Sequence, residues 1–320
     1  MNNHASSHRQ LILLFPGQGA QTVGMGKALY QAFATVRNTF EQASDLSGIN
    51  LSKICFEGPR QTLNATENTQ PAIFTVSLAI YALLAEAGIK PQWAAGHSLG
   101  ELSALTAAGA LHMDQGLQLV CTRGQLMANA FTNRDGTMAA IENLDASALS
   151  SLIKQVEGQV WIANFNAPGQ IVVSGAPQAL EQLSTLAKIA GGRITRLAVS
   201  GAFHTPMLAA ASASFSKLVA TINITAPDFP VIGNVQANPL TTVELVREEL
   251  NNQMCSSVYW TQSMALLSKI QDGCFIEVGP GKILKGLLLR NVRQAQCWIT
   301  ETPKDIEMLL KNLGLACTGQ

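Results

Sequence analysis

The sequence predicts an α/β protein in which helices flank a parallel sheet and a small second unit is inserted near the middle of the chain. Three observations carry this. Compact apolar runs that end in glycine-rich turns alternate with longer stretches of helical period, the pattern of buried parallel strands and their crossover helices. From about Thr132 to Val199 the elements shorten and follow the order βαββαβ, which is ferredoxin-like. Larger α/β units then resume, with the apolar segments Phe229–Val235 and Cys274–Lys282.

In order along the chain, Met1 to Arg9 reads as a frayed tail, and MNNHASSHRQLILLF lacks the long hydrophobic core and cleavage site of a secretory signal. Gln10–Phe15 is a buried strand running into PGQGAQ. Helices are expected over roughly Gly26–Ser44 and over Pro71–Ala87, where Ile73, Val76, Ile80, Leu83 and Leu84 recur at helical spacing. PQWAAGHSLGELSALTAAGAL then gives a short strand, a sharp turn at Gly96–Gly100, and a helix. Within the insert, strands are expected at Thr137–Ile141, Val160–Asn164, Gln170–Ser174 and Arg193–Leu197, and helices at Ala146–Val156 and Pro177–Gly191. This assigns residues 1–131 and 200–320 to a large domain and 132–199 to a small one, with a cleft between them.

Composition narrows the function classes. The 320 residues are 47% hydrophobic and 13% charged, and Lys plus Arg equals Asp plus Glu at 21 each. With no net field to hold a polyanion along its length, the chain is not expected to bind nucleic acid. No apolar run reaches roughly 18 residues, so no membrane span is expected. The six cysteines are scattered, without CxxC pairs or histidines at ligand spacing, which predicts reduced thiols, a cytoplasmic location and no metal site.

Gly96-His97-Ser98-Leu99-Gly100 fits G-x-S-x-G, in which a serine is exposed at a tight strand-to-helix turn. The amides at the start of the next helix, that of Leu99 included, would stabilise negative charge developing beside Ser98. A glycine-rich turn with a serine helix cap is the plain alternative. Such a serine needs a base. Of five histidines, His4 and His8 lie in the tail, His97 flanks the serine, and His112 follows the elbow helix in a surface connection. His204 is left, in the loop SGAFHTPM where the insert returns to the main domain, although a structural loop histidine would fit the same place. No acid stands where an ordinary α/β-hydrolase would carry it, so a Ser–His dyad is the simpler reading, with the imidazole held by a carbonyl or an amide.

FPGQGAQ, NTQPAIF, GHSLGE, TRGQLM, NFNAPGQIVVSG, GAFHTP and EVGPGK, taken in order, resemble the malonyl-coenzyme A:acyl carrier protein transacylases of bacterial fatty-acid and polyketide synthesis over nearly the whole chain. The resemblance implies a hydrolase-like α/β domain with a ferredoxin-like insert. It implies malonyl-coenzyme A as substrate, an acyl carrier protein as partner and no permanently bound cofactor. By motif, Ser98 resembles the acyl-bearing nucleophile and His204 its base. The Gln18 amide resembles the donor that completes the oxyanion hole with Leu99, and Arg123 the arginine that grips the malonyl carboxylate. Gln253 resembles the residue whose main-chain carbonyl orients the histidine, so its side chain is expected to matter little. Phe203 beside the base resembles malonyl-selective members, since a ring there crowds a 2-methyl branch. Arg123 in a surface ion pair and Phe203 as packing in the interdomain seam are the competing readings.

Lys282, Lys285, Arg290 and Arg293 recur at loosely helical spacing and are candidates to meet an acidic carrier protein, or else form a solvated helix face. Two other functions stay open: an acyl-thioester hydrolase of the same architecture, and a non-catalytic docking subunit. The motifs do not choose between fatty-acid and polyketide pathways.

Overall fold

A computed structural model describes residues 9–133, 135–199 and 201–316. Of the expected tail only Arg9 is among them, and His4, His8 and Cys317 lie outside. Ten strands are described, in two sheets. β1 (Gln10–Phe15) and β2 (Trp93–Gly96) belong to the larger sheet, and β3 (Thr137–Glu142), β4 (Val160–Ala167), β5 (Gln170–Gly175) and β6 (Arg193–Arg196) make the smaller one. β7 (Val231–Ile232), β8 (Pro239–Leu240), β9 (Gly273–Glu277) and β10 (Cys297–Ile299) complete the larger sheet. Its order is β10-β9-β1-β2-β7-β8, parallel except for β8.

Both faces of this sheet are covered. Leu13 and Phe15 of β1 point into one apolar core, with Ile73, Val76, Leu102 and Val120 from the helices. Ile12 and Leu14 point into the other, with Trp260, Met264 and Phe275. That two-sided burial is why β1 reads as a continuous apolar run rather than an alternating one. The helix Thr66–Glu86 is apolar all round because it lies inside the molecule. It is long and apolar enough to cross a membrane, but 78% of its most apolar window is buried, as in a core helix.

The smaller sheet has the order β4-β5-β3-β6 and is antiparallel throughout. The helices Ala146–Ile153 and Pro177–Ile189 pack Leu149, Leu180 and Leu183 against Ile141, Val160 and Val173 in a core of its own. Its edge strand β4 is bonded to the larger unit, with Phe165 N–H donating to Val258 O at 2.9 Å and Val258 N–H to Ala163 O at 2.8 Å.

Three expected elements differ. The helix over Gly26–Ser44 is two helices, Lys27–Ala32 and Ala34–Ser47, because Phe33 adopts extended angles (φ −124°, ψ 129°) as its ring enters the core. The helix over Ala146–Val156 ends at Ile153 and gives way to turns. The strand over Phe229–Val235 shrinks to Val231–Ile232, since Gly233 N–H bonds Asn238 O to turn the chain and Asn234 is drawn toward the elbow.

Candidate active site

Ser98 sits between β2 and the helix Leu99–Ala107 with φ 53° and ψ −108°, a conformation that side chains rarely adopt. The elbow needs its glycines. A Cβ on Gly96 would lie 2.0 Å from the Gly100 carbonyl, and one on Gly100 would lie 2.0 Å from the Phe15 carbonyl oxygen. The strained peptide is held on both sides. Ser98 N–H donates to Asn234 Oδ1 at 2.7 Å, and Ser98 O accepts from Gln253 Nε2 at 2.9 Å.

His204 also has a positive φ, 59°, and is buried. Its Nε2 stands 2.7 Å from Ser98 Oγ, while its Nδ1 lies 3.1 Å from both Gln253 O and Ser256 O. Two carbonyls can only accept, so Nδ1 carries the hydrogen and Nε2 is free to take the serine proton. Burial, and next the positive field of Arg123, push the imidazole down to about 3, which keeps it neutral, with the Nε2 lone pair unprotonated, near pH 7.

Arg123 comes from the helix Met113–Asn129 and is 1% exposed. Its Nη1 donates to Gln70 Oε1 at 2.8 Å, and its Nη2 to Gln253 Oε1 at 2.9 Å and Ser98 Oγ at 3.1 Å. It makes no ion pair with a carboxylate among the described residues. Burial lowers it to about 10, so it stays charged at neutral pH. A buried cation held by neutral amides beside a nucleophile is poised to receive an anion.

These groups line one cavity of about 280 Å³ between the two sheets, together with Gln18, Leu99, Phe203 and Leu197. The Gln18 and Leu99 backbone N–H groups make no hydrogen bond to the described residues. Phe203 forms part of the wall and also meets Phe131 edge-on, with ring centroids 6.1 Å apart. Among the described residues no group of three or more His, Cys, Asp or Glu side chains could hold a metal ion.

The family model described as an acyl transferase domain matches residues 12–304. A malonyl CoA-acyl carrier protein transacylase of Bacillus subtilis is 39% identical over 308 residues, covering 95% of this chain and 97% of its own. The crystal structure of an acyl carrier protein S-malonyltransferase from Vibrio cholerae superposes with a TM-score of 0.90 at 36% identity, covering 94% of this chain and 99% of that one. A malonyl-transacylase solved in complex with its type II polyketide acyl carrier protein gives 0.92 at 35%, covering 95% and 99%. The chain belongs to the malonyl-coenzyme A:acyl carrier protein transacylase family.

Within this transacylase framework, Ser98, His204, Arg123, Gln18, Leu99 and Phe203 converge on the cavity, and Gln253 stands behind it. The surface ion pair considered for Arg123 is not what the geometry shows. The expectation for Gln253 also needs correction. Its carbonyl does contact His204, but its side-chain amide bonds Arg123, the Ser98 carbonyl and Glu101 Oε2 at once. A main-chain role had hidden a side-chain one. The basic residues disperse: Arg290 pairs with Glu142 at 3.1 Å, Lys285 is half-buried above the Glu277 carboxylate, and Lys282 and Arg293 are exposed.

Sequence reasoning missed Gln70, Glu101 and Asn234. Each stood in a segment with a usable signal: a glutamine just before a helix-interior proline, a charge in an otherwise apolar elbow helix, and an asparagine at the end of an apolar strand. His97 is more than a flank, since its Nε2 lies 2.8 Å from Asn166 Oδ1 and its ring 5.3 Å from Trp260, on the cavity wall.

Proposed function

We propose that the enzyme transfers a malonyl group from coenzyme A to the phosphopantetheine thiol of an acyl carrier protein through an ester on Ser98. The observation that carries this reading is the buried Arg123 guanidinium, 3.1 Å from Ser98 Oγ and without an ion-paired carboxylate among the described residues. His204 Nε2 accepts the hydroxyl proton as Ser98 Oγ attacks the thioester carbon. The Gln18 and Leu99 amides stabilise the oxyanion, and the proton then goes to the departing thiolate. The carrier thiol repeats the sequence in reverse, giving a ping-pong cycle. Arg123 binds the free carboxylate throughout and so selects malonyl over acetyl, while the Phe203 ring excludes a 2-methyl branch.

The same reading assigns residues 1–131 and 200–320 to the catalytic domain and 132–199 to a subdomain that closes the cavity. Lys282, exposed next to the cavity-lining Ile283, and the exposed Arg293 are the contacts offered to an acidic carrier protein, together with Lys285 and Arg290. Free cysteines among the described residues, with Cys55 and Cys297 pushed up to about 12 by burial, suit a reducing cytoplasm.

Incubation with malonyl-coenzyme A radiolabelled in the acyl group should label Ser98 and pass the label to holo carrier protein. Release as free malonate without transfer would overturn the transferase reading in favour of hydrolysis. Arg123→Ala should lose malonyl transfer by at least about a hundredfold and gain acetyl transfer, as expected when a charge-assisted bidentate contact is removed. Unchanged selectivity would remove the carboxylate role.

A further inference from the structure

Behind the catalytic residues lies a polar cluster that the reaction does not use directly. Glu101, in the first turn of the helix Leu99–Ala107, is 0% exposed, and its Oε2 accepts from Asn234 N–H at 3.2 Å and Gln253 Nε2 at 3.0 Å. Glu249, from the helix Val243–Asn252, is 6% exposed, and its Oε1 accepts from Val235 N–H at 2.7 Å. The two carboxyls are thus anchored on the successive amides of Asn234 and Val235, which brings them side by side, and burial and next the Glu249 carboxylate raise the proton affinity of Glu101. Glu101 Oε1 finds no donor elsewhere among the described residues, so it is the atom available for a shared proton.

Two buried carboxyls in contact cannot both ionise, because the repulsion between them is poorly screened. Three N–H donors aimed at the pair favour keeping one of them charged. On the other side of the Gln253 amide stands Arg123, whose charged form is stabilised by Glu101.

We propose that Glu101 and Glu249 together hold one proton and one negative charge, and that this charge, one amide away through Gln253, is the resident counter-charge of Arg123. The placement resolves a conflict. A carboxylate bonded directly to Arg123 would compete with the substrate's own. Without any counter-charge, the guanidinium would be buried uncompensated. The Gln253 amide accepts from the cation with Oε1 and donates to the carboxylate with Nε2, so it couples the two charges while leaving the substrate side of Arg123 free. Glu101 and Glu249 are thus positioning residues, acting on substrate through Arg123.

This rests on the malonyl reading of Arg123, so Arg123→Ala serves as the control. If wild-type enzyme fails to transfer malonyl, that reading fails. If it transfers malonyl but the carboxamide series below behaves otherwise, only the counter-charge fails. Glu101→Gln and Glu249→Gln each leave one carboxylate able to carry the charge, accepting a bond from the new amide. Each should lose kcat modestly and equally with malonyl- and acetyl-coenzyme A, leaving the ratio of their KM values as in wild type. The double variant keeps the shape and loses the charge. Its KM for malonyl-coenzyme A should fall about tenfold relative to acetyl-coenzyme A, since the substrate carboxylate then becomes the sole counter-ion of Arg123. Malonyl-coenzyme A should also raise its melting temperature more than that of wild type. An unchanged KM ratio in the double variant overturns the proposal. So does a single variant that alone shifts the ratio, which decides the matter even if the double variant does not fold.

Discussion

The elbow and the small sheet of this enzyme are built on opposite principles. The small sheet is antiparallel throughout, with two helices that bury leucines and a separate apolar core. Its stability comes from local pattern and area removed from water. The elbow places two residues at positive φ, Ser98 and His204, and surrounds them with buried Arg123, Glu101, Gln253 and Asn234. Its order comes from side-chain bonds that join segments 25 to 155 residues apart. The cavity lies where the two meet. A catalytic constellation needs groups held in unfavourable conformations, and a regular partner lets it keep them.

The sharpest way to break this comparison is at Gln253, where most of the elbow's bonds cross. Gln253→Ala leaves the main-chain carbonyl under His204 and removes the contacts to Arg123, Ser98 O and Glu101. Single-turnover acylation by malonyl-coenzyme A should fall about a hundredfold, the scale for losing a buried positioning contact in the transition state. Equal acylation by the variant and the wild type would mean that the carbonyl alone organises the site.

This residue also marks the limit of what could be read in the sequence. Strand and helix order in the small sheet was legible because each element obeys its own period, and its boundaries fall within a few residues of those expected. The nucleophile and base were legible because G-x-S-x-G is local and histidines are few. The bonds of Gln253, Glu101 and Asn234 were not, because no period or spacing connects a helix C-terminus, an elbow helix and a strand end. Asn234 shows the physical reason. Its apolar neighbours announce a strand, but its amide bonds Gly96 O and Ser98 N–H, and that tertiary demand takes the chain out of the sheet after Ile232. Phe33 likewise breaks a helical pattern to fill the core.

A second test reads the electrostatics of the elbow alone. The neutral imidazole is the form that accepts the Ser98 proton, and burial and Arg123 both depress His204. Lowering that value moves the loss of base to lower pH. Inactivation by a fluorophosphonate that labels Ser98, which requires no substrate carboxylate, should therefore stay level down to about pH 5. An unperturbed histidine would halve the rate near about pH 6.5. Arg123→Ala removes the largest depressing cause after burial, so its acid limb should move upward. Acid limbs near pH 6.5 in both proteins would show that neither burial nor Arg123 governs the base.

The smallest effect is expected where the two regions touch at the surface. Glu142, at the end of β3, pairs with Arg193 at 3.9 Å within the small sheet and with Arg290 at 3.1 Å on the helix Ile283–Asn291. These side chains are partly exposed, so Glu142→Gln should change stability by less than about 1 kcal/mol. The bonds of β4 to Val258 and of Asn291 to Asn166 O continue to hold the sheet against the larger unit. What changes is charge, because Arg290 loses its carboxylate partner on the helix that also carries Lys285. The KM for an acidic carrier protein should fall about two- to threefold at low salt and return to the wild-type value as salt screens the patch. The KM for malonyl-coenzyme A in the first half-reaction reports the elbow and should follow its own course. A carrier-protein KM that ignores both the substitution and the salt would place the docking surface away from this helix.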